Sequence, residues 1–233
     1  MHERYWHHWA EEMHTIPTRT FKRLDELRGN IGTALVFGCG NSGFTRLVQR
    51  AFLEANVVGY DIDEDKIDHC NGYARLGVDL RARFGRHIYR KENPIHIKLE
   101  GIQYTSERPD SKFDVVLALA VLHEMPEHLA DDALSFLNKQ GHMVVIDYDM
   151  KDMPWDDFFD CWGYSRAERA EEQSIGEQAA YDLHTQFGLE DCIAIMQQRN
   201  MRTVHAEPKI DSRYIGGPKP TQHFLYIGEK VTL

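Results

Sequence analysis

The sequence predicts an α/β fold: a doubly wound, mostly parallel sheet of seven strands, the last one antiparallel, with helices on both faces. Three observations predict it. Short apolar runs at 34–37, 57–60, 113–120 and 143–146 alternate with segments of helical periodicity, as expected of strands buried on both sides between crossover helices. The first run ends in a glycine-rich turn, Gly38-Cys39-Gly40-Asn41-Ser42-Gly43, that opens a helix. The chain closes on two strand-like runs with no helix between them.

Each element follows in order. Residues 5–27 carry apolar and aromatic side chains at roughly helical spacing, interrupted by Pro17, which predicts two short helices as an N-terminal cap over residues 1–30. The run at 34–37 is the first strand, and Leu47, Val48, Ala51 and Phe52 give the following helix its apolar face. Residues 56–61 form a second strand closed by Asp61, before a helix over 64–80. Pro94 marks a break, alternation over 95–99 predicts a third strand, and 106–111 reads as loop. The most apolar run, 113–120, is a central fourth strand. A helix over 127–137, a turn at Gly141 and a fifth strand over 143–147 complete the alternation. Residues 149–188 break it and read as an insertion over the substrate side, before a helix over 189–199. Strands at 201–206 and 223–228 are joined by a connection holding Gly216, Gly217, Pro218 and Pro220, which suits a hairpin-like return. All 233 residues read as one domain with one sizeable core.

Composition narrows the function classes. The formal charge of -10, from 37 acidic and 27 basic residues, opposes wrapping along a phosphate backbone and suits small or cationic substrates. Cys39, Cys70, Cys161 and Cys192 are widely spaced, so they read as reduced thiols in a cytoplasmic chain rather than a disulfide framework. No apolar stretch is long enough to span a membrane, no targeting segment is evident, and nothing sets an oligomeric state. Arg81, Arg83, Arg86, His87, Arg90 and Lys91 form the one basic cluster, which reads either as a phosphate or RNA contact or as a solvated connection.

The glycine turn carries the chemistry. A strand that feeds Gly-x-Gly-x-x-Gly into a helix lets a ligand approach the backbone and aims free N–H groups at it. Asp61 closes the next strand, where a carboxylate accepts hydrogen bonds from vicinal ribose hydroxyls. Cys39 has no basic partner beside it in sequence and reads as a small, inert filler of the turn. Turn and acid alone fit a nicotinamide or flavin enzyme as well as a methyl-transferring one.

Later segments choose between these. Phe113-Asp114-Val115-Val116-Leu117-Ala118-Leu119-Ala120-Val121-Leu122-His123-Glu124-Met125 resembles the fourth-strand motif of class I S-adenosylmethionine-dependent methyltransferases, a Rossmann-like superfamily. Residues 134–147 resemble that family's helix, glycine turn and fifth strand, and the closing strand pair its reversed sheet edge. The resemblance runs well over residues 32–147 and weakly over the last 30. It implies S-adenosylmethionine as cofactor, with Gly38, Cys39, Gly40 and Gly43 around its methionine part and Asp61 on the ribose. It also implies Ile62 and Ile102 against the adenine, Gln103 or a backbone group supplying hydrogen bonds to it, and Ala118 and Leu119 lining its other side. Val36 stands where many members carry an acid, the turn is one residue longer than the commonest form, and a lone Gly141 replaces a frequent pair. The methionine ammonium therefore needs its acceptor from elsewhere. A nicotinamide-dependent oxidoreductase and a cofactor-binding scaffold without chemistry remain the alternatives.

The acceptor is expected to be a small molecule methylated at oxygen or nitrogen. Methyl transfer from a sulfonium is an in-line displacement, so the protein positions the nucleophile and removes its proton. His123, just past the fourth strand, is the candidate base, since imidazole titrates near neutrality; as an alternative it caps the next helix or packs over the cofactor. Glu124, Asp147, Tyr148 and Trp155 are the candidate substrate contacts, because carboxylates among aromatic faces attract a cationic amine. Trp155, Phe158, Phe159 and Trp162 also share one helical face, which reads equally as core packing. No metal is expected: Asp147 and Asp149 alternate across a strand, and His7 and His8 diverge on a helix.

Overall fold

The computed structural model describes residues 31–40, 44, 45, 48, 49, 52, 55–75, 102–161, 175–212 and 221–231. The predicted cap over 1–30, residues 41–43 of the glycine turn, the strand placed at 95–99, the basic cluster at 81–91 and the glycines at 216 and 217 lie outside the described residues. The elements run β1 (Thr33–Phe37), β2 (Asn56–Tyr60), α1 (Glu64–Arg75), β3 (Ile102–Thr105), β4 (Phe113–Leu119), a 3-10 turn (Leu122–Glu124) and α2 (Pro126–Ser135). They continue with β5 (Leu137–Tyr148), α3 (Trp155–Cys161), α4 (Glu177–Thr185), α5 (Leu189–Gln198), β6 (Met201–Ser212) and β7 (Thr221–Lys230).

The strands form one sheet in the order β3-β2-β1-β4-β5-β7-β6. β1 to β5 pair in parallel, and β7 runs antiparallel to both β5 and β6. Strand pleating explains why the runs are apolar at every position. Ala34, Val36, Val115, Leu117, Val144, Ile146, Leu225 and Ile227 point to one face, where Phe44, Val48, Phe52, Ile67 and Cys70 cover them. Leu35, Phe37, Val116, Ala118, Met143, Val145, Phe224 and Tyr226 point to the other, against Ala130 and Ala133 of α2 and Cys192 and Met196 of α5. Both faces are dry, so no polar alternation appears in the sequence.

Three boundaries differ from expectation. The strand that pairs with β2 is β3, with Ile102 beside Val57 and Thr105 beside Tyr60, later in the chain than the predicted 95–99. α2 stops at Ser135 and β5 starts at Leu137, so Gly141 lies inside a strand rather than in a turn before one. There the ladder is irregular: Phe113 pairs with Leu137 but Val115 with His142. Gly141 permits this, because a Cβ would sit 2.8 Å from Leu137 Cδ1 and 3.0 Å from the Asp114 carbonyl oxygen. β6 also runs to Ser212, twice as far as its apolar start, because β7 pairs with it along that length.

Asp114 holds the amino ends of the central strands. Its Oδ2 accepts from the N–H groups of Gly32 and Thr33, both at 2.9 Å, and from the Thr33 hydroxyl at 3.0 Å. Its Oδ1 accepts from Asn138 Nδ2 at 2.8 Å, which ties in β5. Among the described residues no helix is long and apolar enough to cross a membrane.

Candidate active site

The sheet order reverses at β1, which has β2 on one side and β4 on the other, and ligands of such sheets bind beyond the carboxyl ends of the strands at that point. A cleft of about 670 Å³ opens there. Gly38, Cys39, Gly40, Asp61 and Ile62 line one side, and Leu119, Val121, Glu124 and Met125 the other. Gly38 and Gly40 have φ of +65° and +50°, in the left-handed region that favours glycine. A Cβ on Gly38 would lie 2.6 Å from Val121 Cγ2, whereas one on Gly40 would meet nothing within 4 Å. The first glycine therefore lets the turn lie against the end of β4, and the second leaves its backbone open.

Asp61 anchors the turn. Its Oδ2 accepts from Gly40 N at 2.8 Å and its Oδ1 from Asp63 N at 3.0 Å, while Cys39 N donates to the Tyr60 carbonyl at 3.0 Å. Each carboxylate oxygen has a second acceptor position, so the group keeps capacity for a pair of hydroxyls. Ile62 is 82% exposed, an unusual degree for an isoleucine, and presents an apolar surface beside that carboxylate. The Cys39 thiol is pushed far up by its hydrogen bond with Cys70 and by burial, which suits the inert role read from sequence.

Other expected cofactor contacts fall elsewhere. Ile102 packs against the core and Gln103 is exposed, both at the amino end of β3, because that strand starts later than the sequence suggested. The carboxyl end is Thr105, whose carbonyl accepts from Asp61 N at 3.3 Å. Ala118 is buried in the core of the α2 face, and only its neighbour Leu119 lines the cleft.

A second centre adjoins the cleft where β4 and β5 end side by side. His123 Nδ1 lies 2.7 Å from Asp147 Oδ1, with His123 only 6% exposed and Asp147 fully buried. Asp147 Oδ2 accepts from the N–H groups of Leu122 and His123 at 2.9 and 3.2 Å, and its Oδ1 from Tyr148 N at 2.8 Å. Burial alone would raise the Asp147 pKa; the facing imidazole and these hydrogen bonds outweigh it and hold the carboxyl below its usual range. A carboxylate accepts, so Nδ1 carries a proton and donates it toward Asp147. Asp147, expected among the substrate contacts, is fully buried, with its carboxylate against His123 and the N–H groups of Leu122, His123 and Tyr148. Tyr148 meets the His123 ring edge-on at 5.1 Å. Trp155 is not among the residues that line the cleft; its ring lies 4.7 Å from Phe159 and 5.0 Å from Tyr181, while Phe158 of the same helix is fully buried. The packing reading of that helix holds for Phe158.

A Methyltransferase domain model matches residues 5–193, most of the chain. The chain belongs to the methyltransferase domain family. The methyltransferase domain is 30% identical over 152 residues to 27-O-demethylrifamycin SV methyltransferase of Amycolatopsis mediterranei (strain S699). That match covers 61% of this chain, and the chain spans 50% of the relative's length. Among solved structures, the plantazolicin methyltransferase BpumL in complex with SAH superposes with a TM-score of 0.56 at 13% identity, over 95% of this chain and 84% of that one. The magnesium protoporphyrin IX methyltransferase ChlM from Synechocystis PCC 6803 gives 0.57 at 13%, over 94% and 84%. These likenesses establish the fold of the methyltransferase domain, a Rossmann-like sheet with one reversed strand.

Two contributors escaped the sequence reading. Val121, which interlocks with Gly38, looked like strand continuation. His184 of α4, fully buried with its ring 4.7 Å from that of His123, lies 61 residues away in the insertion. The Asp147 role had a signal: adjacent parallel strands end together, so an acid closing one can meet a histidine just past the other.

Proposed function

We propose that the chain is an S-adenosylmethionine-dependent methyltransferase that methylates a hydroxyl of a small molecule, with His123 as general base and Asp147 as the group that orients it. The observation that carries this reading is the 2.7 Å contact between His123 Nδ1 and a buried carboxylate, with Val121 and Glu124 on either side of His123 in sequence lining the glycine-bordered cleft. The cleft fits the cofactor: Gly40 has open space where a side chain would intrude, Asp61 keeps acceptor capacity for ribose hydroxyls, and exposed Ile62 offers an apolar face for adenine. Bound there, S-adenosylmethionine supplies an electrophilic methyl group for in-line displacement. Gly38 borders the methionine part, and Leu119 lies on the opposite wall. Glu124, which lines the cleft, is the nearest acid in sequence to the base and contacts the acceptor or the cofactor's ammonium.

His123 Nε2 takes the acceptor's hydroxyl proton as the oxygen attacks. Asp147 receives no proton; it holds Nδ1–H and stabilises the imidazolium that forms. An alcohol or phenol needs this help at neutral pH far more than an amine, which is why the dyad favours oxygen. The family membership, the rifamycin-modifying relative and the reversed β7 all support methyl transfer over the nicotinamide alternative.

Release of S-adenosylhomocysteine from pooled alcohols, phenols and amines tests the reading. His123→Asn is expected to lower kcat by ~10²- to 10⁴-fold, the usual contribution of a general base, with cofactor affinity kept. Asp61→Ala is expected to weaken S-adenosylhomocysteine binding by ~1–3 kcal/mol in calorimetry. Full turnover by His123→Asn, or activity on amines alone, would overturn the base and the hydroxyl acceptor; unchanged affinity in Asp61→Ala would overturn the ribose contact.

A further inference from the structure

We propose that His184 is a positioning residue for His123: a ring, carried by the insertion, that packs against the base and fixes the plane of its imidazole. The proposal rests on the reading of His123 as the base. A hydrogen bond from Nδ1 to Asp147 tethers one atom of the His123 ring but leaves rocking about that tether. Two further rings remove that freedom. His184 lies 4.7 Å from the His123 ring at 36°, and Tyr148 meets both edge-on at 5.1 Å, so the three form a closed triangle. His184 is itself fixed, because its Nδ1 bonds the Ala180 carbonyl at 2.8 Å within α4 and Phe158 stands 6.4 Å behind it.

The choice of imidazole has a chemical logic. Its Nδ1–H satisfies Ala180, as a phenyl ring would not, while its face packs as an aromatic ring. Burial, with the neighbouring His123 adding to it, pulls its pKa down to about 4, so at neutral pH it places no positive charge beside the base. Among the described residues, the charged and titratable groups facing the triangle include Asp147 and Tyr148 on β5, His123 past β4, Cys192 on α5 near Asp147, and His223 on β7, whose ring is 5.0 Å from that of Tyr148.

The test uses the full chain labelled with [¹⁵N]histidine and saturated with S-adenosylhomocysteine. The Nδ1–H proton between His123 and Asp147 is followed by NMR, and its loss in His123→Asn identifies it. His184→Ala and His184→Asn both remove the ring, though Asn keeps a donor for Ala180. Both are expected to broaden or abolish the resonance and to lower kcat about tenfold with KM for the methyl donor unchanged. His184→Phe keeps the ring and is expected to restore both, with melting curves confirming that each variant folds. A sharp, unshifted resonance in His184→Ala with kcat intact would overturn the positioning role and leave the base reading standing. Restoration by Asn but not Phe would also overturn it, because the Ala180 bond rather than the ring would then matter. Full turnover in His123→Asn would instead sink the base reading, and the proposal with it.

Discussion

His184 is neutral in the folded chain because burial, helped by the adjacent His123, brings its pKa from 6.5 down to about 4. In the unfolded chain it titrates at its ordinary value, so between the two values the unfolded state binds more protons and stability rises with pH. The contribution is complete above about pH 6.5 and is lost progressively as pH falls to about 4. Urea unfolding is expected to show the wild-type chain losing about 2 kcal/mol between pH 7 and pH 5 beyond the loss in His184→Phe. Equal losses would assign the acid sensitivity to other groups. Sequence made some single residues legible and hid others for the same physical reason. Gly38, Gly40 and Asp61 act through backbone conformation and strand position, both of which local pattern records. Asp147 and His184 act through what surrounds them, and a carboxylate reads the same in sequence whether it meets solvent or a buried imidazole.

The strands of the central sheet are held at both ends by aspartates. Asp114 gathers β1 and β5 at the amino edge, and Asp61 and Asp147 fasten the turn and the end of β4 at the carboxyl edge. Although desolvation works to raise the Asp114 pKa, the bonds from Asn138, Gly32 and Thr33 prevail and hold it below its usual value. Its stabilising effect is present above the ordinary carboxyl range and is lost as pH falls through the lowered value. Asp114→Ala leaves three part-buried donors without their acceptor and is expected to cost ~1–3 kcal/mol in denaturant unfolding. A change near zero would mean that water replaces the carboxylate fully. Elements with every residue apolar were legible, because only a strand covered on both faces needs that run. β3 was not, since its four residues, Ile-Gln-Tyr-Thr, have one buried side chain among them. The start of β5 was hidden for another reason: the irregular ladder beside Asp114 absorbs residues that look like a turn.

At the level of the molecule, the cleft draws its walls from β1, β2 and β4 and from the segments that follow them, so a ligand there cross-links the middle of the sheet. S-adenosylhomocysteine at a hundred times its Kd is expected to raise the unfolding free energy by about 2.7 kcal/mol. Thermal shift with S-adenosylhomocysteine and with NAD(H) in parallel checks this; a shift with NAD(H) alone would reverse the assignment of the cleft. The parallel run of the first five strands followed from alternation with helices, and the reversal of β7 from the missing helix before it. The contact between Gly38 and Val121 reaches further, into how the chain can change through descent. A Cβ at position 38 would fall 2.6 Å from Val121, on a backbone that only glycine adopts readily. Position 38 is therefore closed to any residue with a Cβ unless the Val121 side chain gives way. Two sites 83 residues apart, one at the end of β1 and one at the end of β4, thus share one space, and a substitution at either is felt at the other.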